Sequence, residues 1–421
     1  MSTILPFDII AQIIYTVGEN KDTNLLKELA LVSHCFHQIC CKHLFATVEL
    51  NSEAHSKHHV ASSKKRFVNL LKSRPYIVNY IRKLTYGVGY KFDDRPPSSK
   101  FQSVYLMSDD YLLSPVLPNL LRTISRLNCL KIEASFLRWN EIEPSLTSAF
   151  LHLMHLPTVN HIGLSSIENF PISSLIPSFN LLRLDVTSLS CIDPLASETE
   201  IVVQSEMMPK LREFHIFFSA KVLMMMLHAK MHDGRPAFNF MNLKRLFVSL
   251  DDKQHLLTLL HNARLLEKLH LEVRCVLGSS FEGLHDILSA STRTLKFLCL
   301  EVLIYETYIN EVSKPFEELC EGLEALAGHD MLEDLSFEIE LTHDETEVAI
   351  GILIENVEKV LAKPGWSALR QVTFKIPVAE KADFVSLQYI YGGYLSHPSK
   401  LESVAFNFSG YVVNCQCDCN V

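Results

Sequence analysis

The first residues in this chain that could do chemistry are three closely spaced histidines, His55, His58 and His59. Imidazole nitrogens bind zinc, copper and iron, so a cluster of this kind can hold a transition metal. These histidines, however, belong to the polar stretch 52–66, which ends in three consecutive cations. A solvated surface loop explains this composition better than a metal site does.

Three cysteines near the C-terminus are the second candidate for metal binding. Cys415, Cys417 and Cys419 alternate along the chain, so an extended backbone would point all three thiols to one side. Thiolates bind soft metals, but this cluster lacks a fourth ligand and the two-residue spacer typical of zinc sites. We therefore expect no bound metal and no cofactor.

Motifs for catalysis are missing. Gly87-Val88-Gly89 is not followed by the third glycine of a nucleotide-binding loop. The sequence contains no Gly-x-Ser-x-Gly elbow, no Walker lysine and no His-Glu-x-x-His helix. These absences argue against an enzyme.

The composition favours a large protein of the cytoplasm, the nucleus or both, with its cysteines in the reduced state. The 421 residues are 48% hydrophobic, which is enough for several packed layers, and no apolar run is long enough to cross a membrane. The start of the chain does not resemble a secretory signal. The chain has eleven cysteines, and Cys129, Cys275 and Cys299 fall inside apolar strand patterns, as reduced cysteines that behave as small hydrophobic residues do. A net charge of −9 does not indicate the basic surface that nucleic-acid binding requires.

Residues 1–45 are predicted to form a compact helical module, the first structural element of the chain. Its first helix opens at Leu5-Pro6, and apolar residues recur at helical spacing through Ile14. A polar break at 18–22 precedes a second apolar pattern, and a third pattern ends at Leu44-Phe45. This spacing predicts three short amphipathic helices. They could form a docking module or simply cap the repeats that follow.

The module resembles the F-box. That family pattern is a Leu-Pro start, a spaced Ile/Leu helix, Leu-x-x-Val-Ser-x-x-(Trp/Phe), and a terminal Leu-(Trp/Phe), with Phe36 here where tryptophan is commoner. The resemblance implies an apolar surface that binds a Skp-type adaptor, and several of the same residues must also hold the helices together. The residues implied in adaptor binding are Leu5, Pro6, Ile9, Ile13, Leu29, Val32, Phe36 and Phe45.

A repeated unit with the core Leu-x-x-Leu-x-Leu, written with apolar substitutions, follows the module. The last two positions of each core alternate as strand residues do, which points both side chains inward, and helical patterns lie between the cores. The eleven predicted cores are Ile81/Leu84/Tyr86, Leu127/Leu130/Ile132, Val159/Ile162/Leu164, Leu181/Leu184/Val186, Leu211/Phe214/Ile216, Leu243/Leu246/Val248, Leu266/Leu269/Leu271, Leu295/Leu298/Leu300, Leu332/Leu335/Phe337, Leu369/Val372/Phe374 and Leu401/Val404/Phe406.

These units resemble an irregular leucine-rich repeat that lacks the usual asparagine ladder. The predicted fold is α/β, a three-helix F-box followed by a solenoid with parallel strands inside and helices outside. Residues 46–80 would form a linker strand, a polar loop and a helix, residues 81–411 the solenoid, and residues 412–421 a cysteine-containing tail. Together with the junction after the module, this arrangement is similar to the large, divergent F-box family of mushroom-forming fungi.

The residues between and just after the repeat leucines should point away from the interior, onto the concave face of the solenoid. Their mixture of charges with Phe247 suits a recognition surface, although Phe247 could instead pack under a loop. The predicted substrate-binding residues are Arg183, Asp185, His215, Arg245, Phe247, Lys268, His270, Glu272, Glu301 and Glu338.

The family resemblance implies a non-catalytic substrate receptor of an SCF-type cullin–RING ubiquitin ligase. Its partners would be a Skp-type adaptor with its cullin and a protein substrate, without nucleic acid or membrane. The alternative is an F-box and repeat scaffold for protein–protein interaction without a role in degradation. An enzyme without a familiar motif ranks third.

Overall fold

A computed structural model describes residues 7–50, 63–88, 116–192, 208–231, 233–250, 253–275, 283–291, 293–304, 313–328, 330–341, 346–378 and 404–412. Parallel strands and helices alternate along most of this chain, so the predicted α/β class is confirmed. The chain divides into two units, residues 1–209 with 228–238, and residues 210–227 with 239–421. None of the described helices combines the length and the apolar character needed to cross a bilayer.

Three helices, α1 (Phe7–Glu19), α2 (Thr23–Leu29) and α3 (His34–Leu44), occupy the start of the first unit. The polar residues that interrupt the apolar patterns cap the next helix. The Asp22 side chain accepts a hydrogen bond from the Leu25 N–H at 3.0 Å, and Ser33 Oγ accepts one from the Phe36 N–H at 3.3 Å. A small common core, formed by Ile14, Leu26, Ile39 and Cys40, joins the three helices.

The described part of the first unit continues with five parallel strands of one sheet and with helices between them. Neighbouring strands in the sheet follow chain order and are parallel. Parallel neighbours require a crossover connection between one strand and the next. The strands of this sheet are β1 (Thr47–Leu50), β2 (Lys83–Val88), β3 (Cys129–Arg138), β4 (His161–Glu168) and β6 (Arg183–Thr187), and a separate pair contains β5 (Phe170–Pro171) and β7 (Cys191–Ile192). The helices are α4 (Ser63–Ser73), α5 (Val116–Leu121) and α6 (Pro144–Met154).

In the described part of the second unit, seven parallel strands are again paired in chain order. They are β8 (Glu213–Phe217), β9 (Arg245–Ser249), β10 (Lys268–Cys275), β11 (Phe297–Ile304), β12 (Asp334–Leu341), β13 (Gln371–Val378) and β14 (Ala405–Val412). Its helices are α7 (Ala220–His228), α8 (Lys253–Asn262), α9 (Leu284–Ser291), α10 (Ser313–Glu324) and α11 (Thr346–Leu361). From α8 to α11, each helix lies beside the next, which gives a helical layer parallel to the order of the strands.

Strand register follows the predicted repeat cores in ten of the eleven units. For example, Leu269 lies opposite Leu298 and Leu271 opposite Leu300, and all four side chains are buried. The eleventh core is wrong by two residues, because Phe406 lies opposite Val372 and Phe408 opposite Phe374. A shift of two residues keeps the same face of a strand inward, so alternation alone could not distinguish Val404/Phe406 from the observed pair.

The aromatic side chains at the end of the second sheet give a test of this register. Phe374 is fully buried and stacks between Phe337, with ring centroids 5.1 Å apart, and Phe408, at 5.5 Å. We expect Phe374→Ala to lower the free energy of unfolding by about 3–5 kcal/mol, measured by urea denaturation, since the cavity lies between two rings. Phe297→Ala, at a position 38% exposed, should cost about 1 kcal/mol. Equal losses would contradict the observed register.

Candidate functional site

On the second unit, the side chains that point away from the apolar core form rows across neighbouring strands. Parallel register places equivalent residues side by side, so residues that are distant in the sequence meet. A central row contains His215, Phe247, His270 and Cys299. The adjacent row contains Glu272, Glu301, Glu338 and Lys375. We call this surface the polar face of the second unit.

Phe247 lies in the middle of a stack of three rings. The centroid of its ring is 3.9 Å from that of His215 and 5.3 Å from that of His270. Lys268 Nζ lies over the same ring at 5.5 Å from the centroid. Phe247 is therefore half-buried between the side chains of the neighbouring strands, which explains how a large apolar residue is tolerated on this face.

Ion pairs continue the row at its β8 end. His215 Nε2 donates to Glu213 Oε1 at 2.8 Å, and Arg245 reaches the other oxygen of the same carboxylate at 3.4 Å. The side chains of His215 and Glu213 are about one-sixth exposed, whereas Arg245 is 61% exposed. Arg245 thus offers its guanidinium to solvent while Glu213 holds the stack in place.

At the other end, a denser cluster of polar groups joins β10 to β13. His270 Nε2 donates to Glu301 Oε2 at 2.8 Å, the Cys299 thiol donates to Glu338 Oε1 at 3.5 Å, and Lys375 pairs with the same Glu338. Burial, with the Glu338 charge nearby, raises the pKa of Cys299 to about 12. Burial opposes ionisation of Glu338 as well, but the hydrogen bond and charge of Lys375, with smaller contributions from His270 and Cys299, together outweigh burial and lower the pKa of that carboxyl.

This cluster contains a set of possible metal ligands. One ligand atom from each of His270, Cys299 and Glu338 lies within 4.8 Å of the other two, and no other group of three His, Cys, Asp or Glu residues in the described ranges is as compact. The candidates considered from sequence, the histidines of 55–59 and the cysteines of 415–419, lie outside the described residues.

The first unit has a comparable row on three adjacent strands. His161 Nδ1 is 3.2 Å from Cys129 Sγ, and His161 Nε2 donates to Asp185 Oδ2 at 2.7 Å. Arg183 donates two further hydrogen bonds to Asp185, at 2.9 and 3.2 Å. Burial would lower the pKa of His161, but the bonds with Asp185 and Cys129 outweigh burial and raise it from 6.5 to about 9. This imidazole is held as a cation between a thiol and a carboxylate.

Not every residue predicted for substrate binding is accessible. Glu272 is only 5% exposed, and its carboxylate accepts a hydrogen bond from Arg274 Nε at 2.7 Å. Arg274 in turn lies over the ring of Phe218, 3.7 Å from the centroid. Glu272 is thus buried and paired with Arg274, so it belongs to the internal structure of the face.

The structure separates the predicted adaptor-binding residues into two groups. Leu29 and Phe36 pack against the small core of the three helices, whereas Ile9, Ile13 and Val32 are 48%, 50% and 64% exposed. The remaining predicted residues are Phe45, which is half-buried after α3, and Leu5 and Pro6, which lie outside the described residues. Exposure thus distinguishes side chains that a partner can reach from those that hold the helices together.

Exposed apolar side chains are concentrated in this part of the chain. Among the described residues, fourteen large apolar side chains are exposed, and half of them fall between residues 7 and 32. These seven are Phe7, Ile9, Ile13, Tyr15, Leu25, Leu31 and Val32. A surface this rich in apolar groups is typical of an interaction site.

Sequence reasoning missed five residues of these clusters. Cys129 and Cys299 were assigned to apolar strand patterns, and both are buried, but each lies beside a histidine. The other three are His161, Glu213 and Lys375. Each occupies the same strand position as a residue that was predicted, since His161 lies opposite Arg183. Aligning all the repeat cores would have found them.

The raised pKa of His161 gives a pH-dependent contribution to stability. Because the folded-state pKa of about 9 exceeds the ordinary 6.5, folding is favoured by proton binding, fully below pH 6.5. The contribution is lost as the pH rises through about 9. We therefore expect His161→Gln to destabilise the chain most at low pH, with the difference from the parent shrinking toward pH 10 in urea unfolding series. The same series on His152→Gln, at an exposed position, is the control for loss of a histidine, and a constant difference for His161→Gln would contradict the assignment.

No protein-family model matches this chain, and no curated protein matches it either. The resemblance to the F-box therefore stays a prediction from the motif residues.

Proposed function

We propose that this chain is the substrate-receptor subunit of an SCF-type cullin–RING ubiquitin ligase. In this proposal residues 1–45 are an F-box that binds a Skp-type adaptor, and residues 81–411 are a leucine-rich-repeat-like solenoid that binds a protein substrate. The observation that carries the proposal is the concentration of exposed apolar side chains on the three N-terminal helices.

That apolar surface is not explained by the internal packing of the helices. Ile14, Leu26 and Ile39 already form a common core, while Ile9 and Ile13 are one turn apart on α1 and remain about half exposed. Leu31 and Val32, in the short link before α3, are 86% and 64% exposed. Keeping apolar groups in water is unfavourable, at about 25 cal/mol for each Å² that a partner could bury. A protein partner that covers these residues would recover this free energy.

The polar face of the second unit supports the substrate-binding half of the proposal. Interfaces are enriched in aromatic and arginine side chains that are held rigidly and surrounded by polar groups. Phe247 is fixed between two histidines, and Arg245 extends beside it with most of its side chain exposed. A rigid aromatic group next to an exposed guanidinium is suited to a partner with an acidic segment.

The adaptor-docking part of the proposal is tested by charge substitution on α1. We expect Ile9→Glu with Ile13→Glu to weaken binding of a Skp-type adaptor at least about 30-fold, because a buried apolar anchor contributes about 2 kcal/mol. Binding is measured by copurification and by titration with purified adaptor. Stability should change little, since both side chains are outside the small core.

The matched control is Leu265→Glu with Met331→Glu, which changes two similarly exposed apolar residues of the second unit. The control should bind the adaptor like the parent. Adaptor binding that survives in the α1 variant, or removal of residues 1–45 without loss of copurification, would refute the F-box assignment.

Substrate recognition is tested on the polar face. Arg245→Ala with Phe247→Ala should remove proteins that proximity labelling in the native host detects around the parent, at least tenfold in yield, while adaptor binding is retained. The matched control is Arg264→Ala with Leu265→Ala, which removes an arginine and a large apolar side chain just after α8. Full labelling by the polar-face variant would place substrate recognition elsewhere.

Copurification with a cullin distinguishes the two functions that an F-box permits. A degradation receptor should bring down both the adaptor and the cullin, because ubiquitin transfer is carried out by the other subunits. A scaffold without a role in degradation should bring down the adaptor alone.

A further inference from the structure

We infer that His270, Cys299 and Glu338 form a zinc-binding site on the polar face of the second unit. Neither adaptor binding nor substrate binding requires a zinc ion. The inferred zinc site therefore stands or falls independently of the proposed ligase role.

Strand register brings the three ligands together. His270 on β10 lies directly opposite Cys299 on β11, and Glu338 on β12 lies opposite Glu301, two residues further along β11. The Cys299 Sγ and Glu338 Oε1 atoms are 3.5 Å apart, and all three ligand atoms are within 4.8 Å of one another. Tetrahedral zinc with bonds of 2.0–2.3 Å separates its ligand atoms by about 3.5 Å, so only small side-chain rotations are needed.

The donor set selects zinc among common metals. Calcium and magnesium prefer oxygen ligands, whereas a thiolate with an imidazole and one carboxylate suits zinc. Three protein ligands leave a fourth position of the tetrahedron open for water or for a group of a bound molecule. A site of this kind can bind a ligand or polarise one.

The surroundings of His270 are those of a metal ligand. Its Nε2–H donates to Glu301 Oε2 at 2.8 Å, which holds the ring in place in the group that it forms with Cys299 and Glu338. Histidines that bind metals commonly donate their other ring N–H to a carboxylate, and this partner orients the ring and increases its basicity. Glu301 is thus a positioning residue for the site.

The local charge also favours a cation. Glu301 and Glu338 bring two carboxylates to this cluster, and Lys375 pairs with Glu338. Once Lys375 turns away, the two carboxylates and the deprotonated Cys299 thiolate carry three negative charges, and a zinc ion offsets two of them. Lys375 competes for Glu338, but its side chain is 44% exposed and can turn into solvent.

The first unit contains a matched control for this argument. Cys129, His161 and Asp185 also place a thiol, an imidazole and a carboxylate on adjacent strands, but both nitrogens of His161 are engaged, one with the thiol and one with the carboxylate. The ring therefore lies between the two other groups, and they cannot meet at one ion. A site that depended on composition alone would bind zinc in both places.

The test is titration of the full chain with zinc alone, followed by cobalt substitution to detect a thiolate–cobalt charge-transfer absorption. The parent should bind one zinc tightly on this unit. Cys299→Ala should lose that zinc and the thiolate–cobalt absorption, and Glu301→Gln should weaken zinc binding about 10–100-fold. Cys129→Ala, and a variant with Cys415, Cys417 and Cys419 replaced by serine, should keep both signals.

Thermal unfolding with and without zinc separates metal binding from folding. Zinc should raise the melting temperature of the parent and of Cys129→Ala, but not that of Cys299→Ala. The inference is overturned if the thiolate–cobalt absorption survives in Cys299→Ala, disappears in the Cys129 or C-terminal variants, or never forms. If Cys299→Ala is poorly folded, an unchanged zinc affinity in Glu301→Gln overturns it as well.

Discussion

The register of the parallel strands is the constraint on which the other features of this protein depend. Alternate side chains of a strand point to opposite faces, and register then decides which side chains of neighbouring strands meet. In the second unit, the apolar pair of each strand packs inward, as Leu246 and Val248 do opposite Leu269 and Leu271. Once these rows are buried, the intervening residues must form rows of their own on the other face. The stack around Phe247 and the cluster around Cys299 are consequences of this geometry.

Rows of this kind give similar residues different properties. His161 lies between a thiol and a carboxylate, and the two bonds keep it protonated to about pH 9. His215 and His270 share a stack with Phe247, and each donates its Nε2–H to a glutamate. A histidine can belong to an ion pair, an aromatic stack or a set of metal ligands. Its neighbours in the row decide which of these it joins, since the imidazole itself is the same in each case.

The N-terminal helices follow a different principle. Their core is small, because three short helices can bury only a few side chains. Ile14, Leu26 and Ile39 belong to this core. The apolar residues left over are exposed at Ile9, Ile13 and Val32. A module that keeps a separate core and a separate apolar surface can bind a partner without unfolding, which is what the proposed docking function requires.

Much of the fold was predictable, because the alternating apolar residues of the repeat cores predict the strands. The alternation at Leu335/Phe337 and Val372/Phe374 gave both the strands and their pairing. The last repeat failed, since Val404/Phe406 and Phe406/Phe408 satisfy the same alternation and only hydrogen-bonded pairing selects between them. Similarly, the motif placed the apolar residues of the module in order but could not distinguish Leu29, which faces the core, from Val32, which faces solvent.

The sequence by itself determined which residues face away from the core, because that depends on a period of two within a single strand. It therefore predicted His270, Glu301 and Glu338 as residues of one face. Only the tertiary structure decided which of them touch, since His270, Cys299 and Glu338 are separated by 29 and 39 positions and are joined by register across three strands. Burial was also decided at that level. Glu272 has the same strand position as Glu301, yet it is buried and paired with Arg274, which lies over the Phe218 ring, and contacts of this kind depend on the packing of loops that no periodicity encodes.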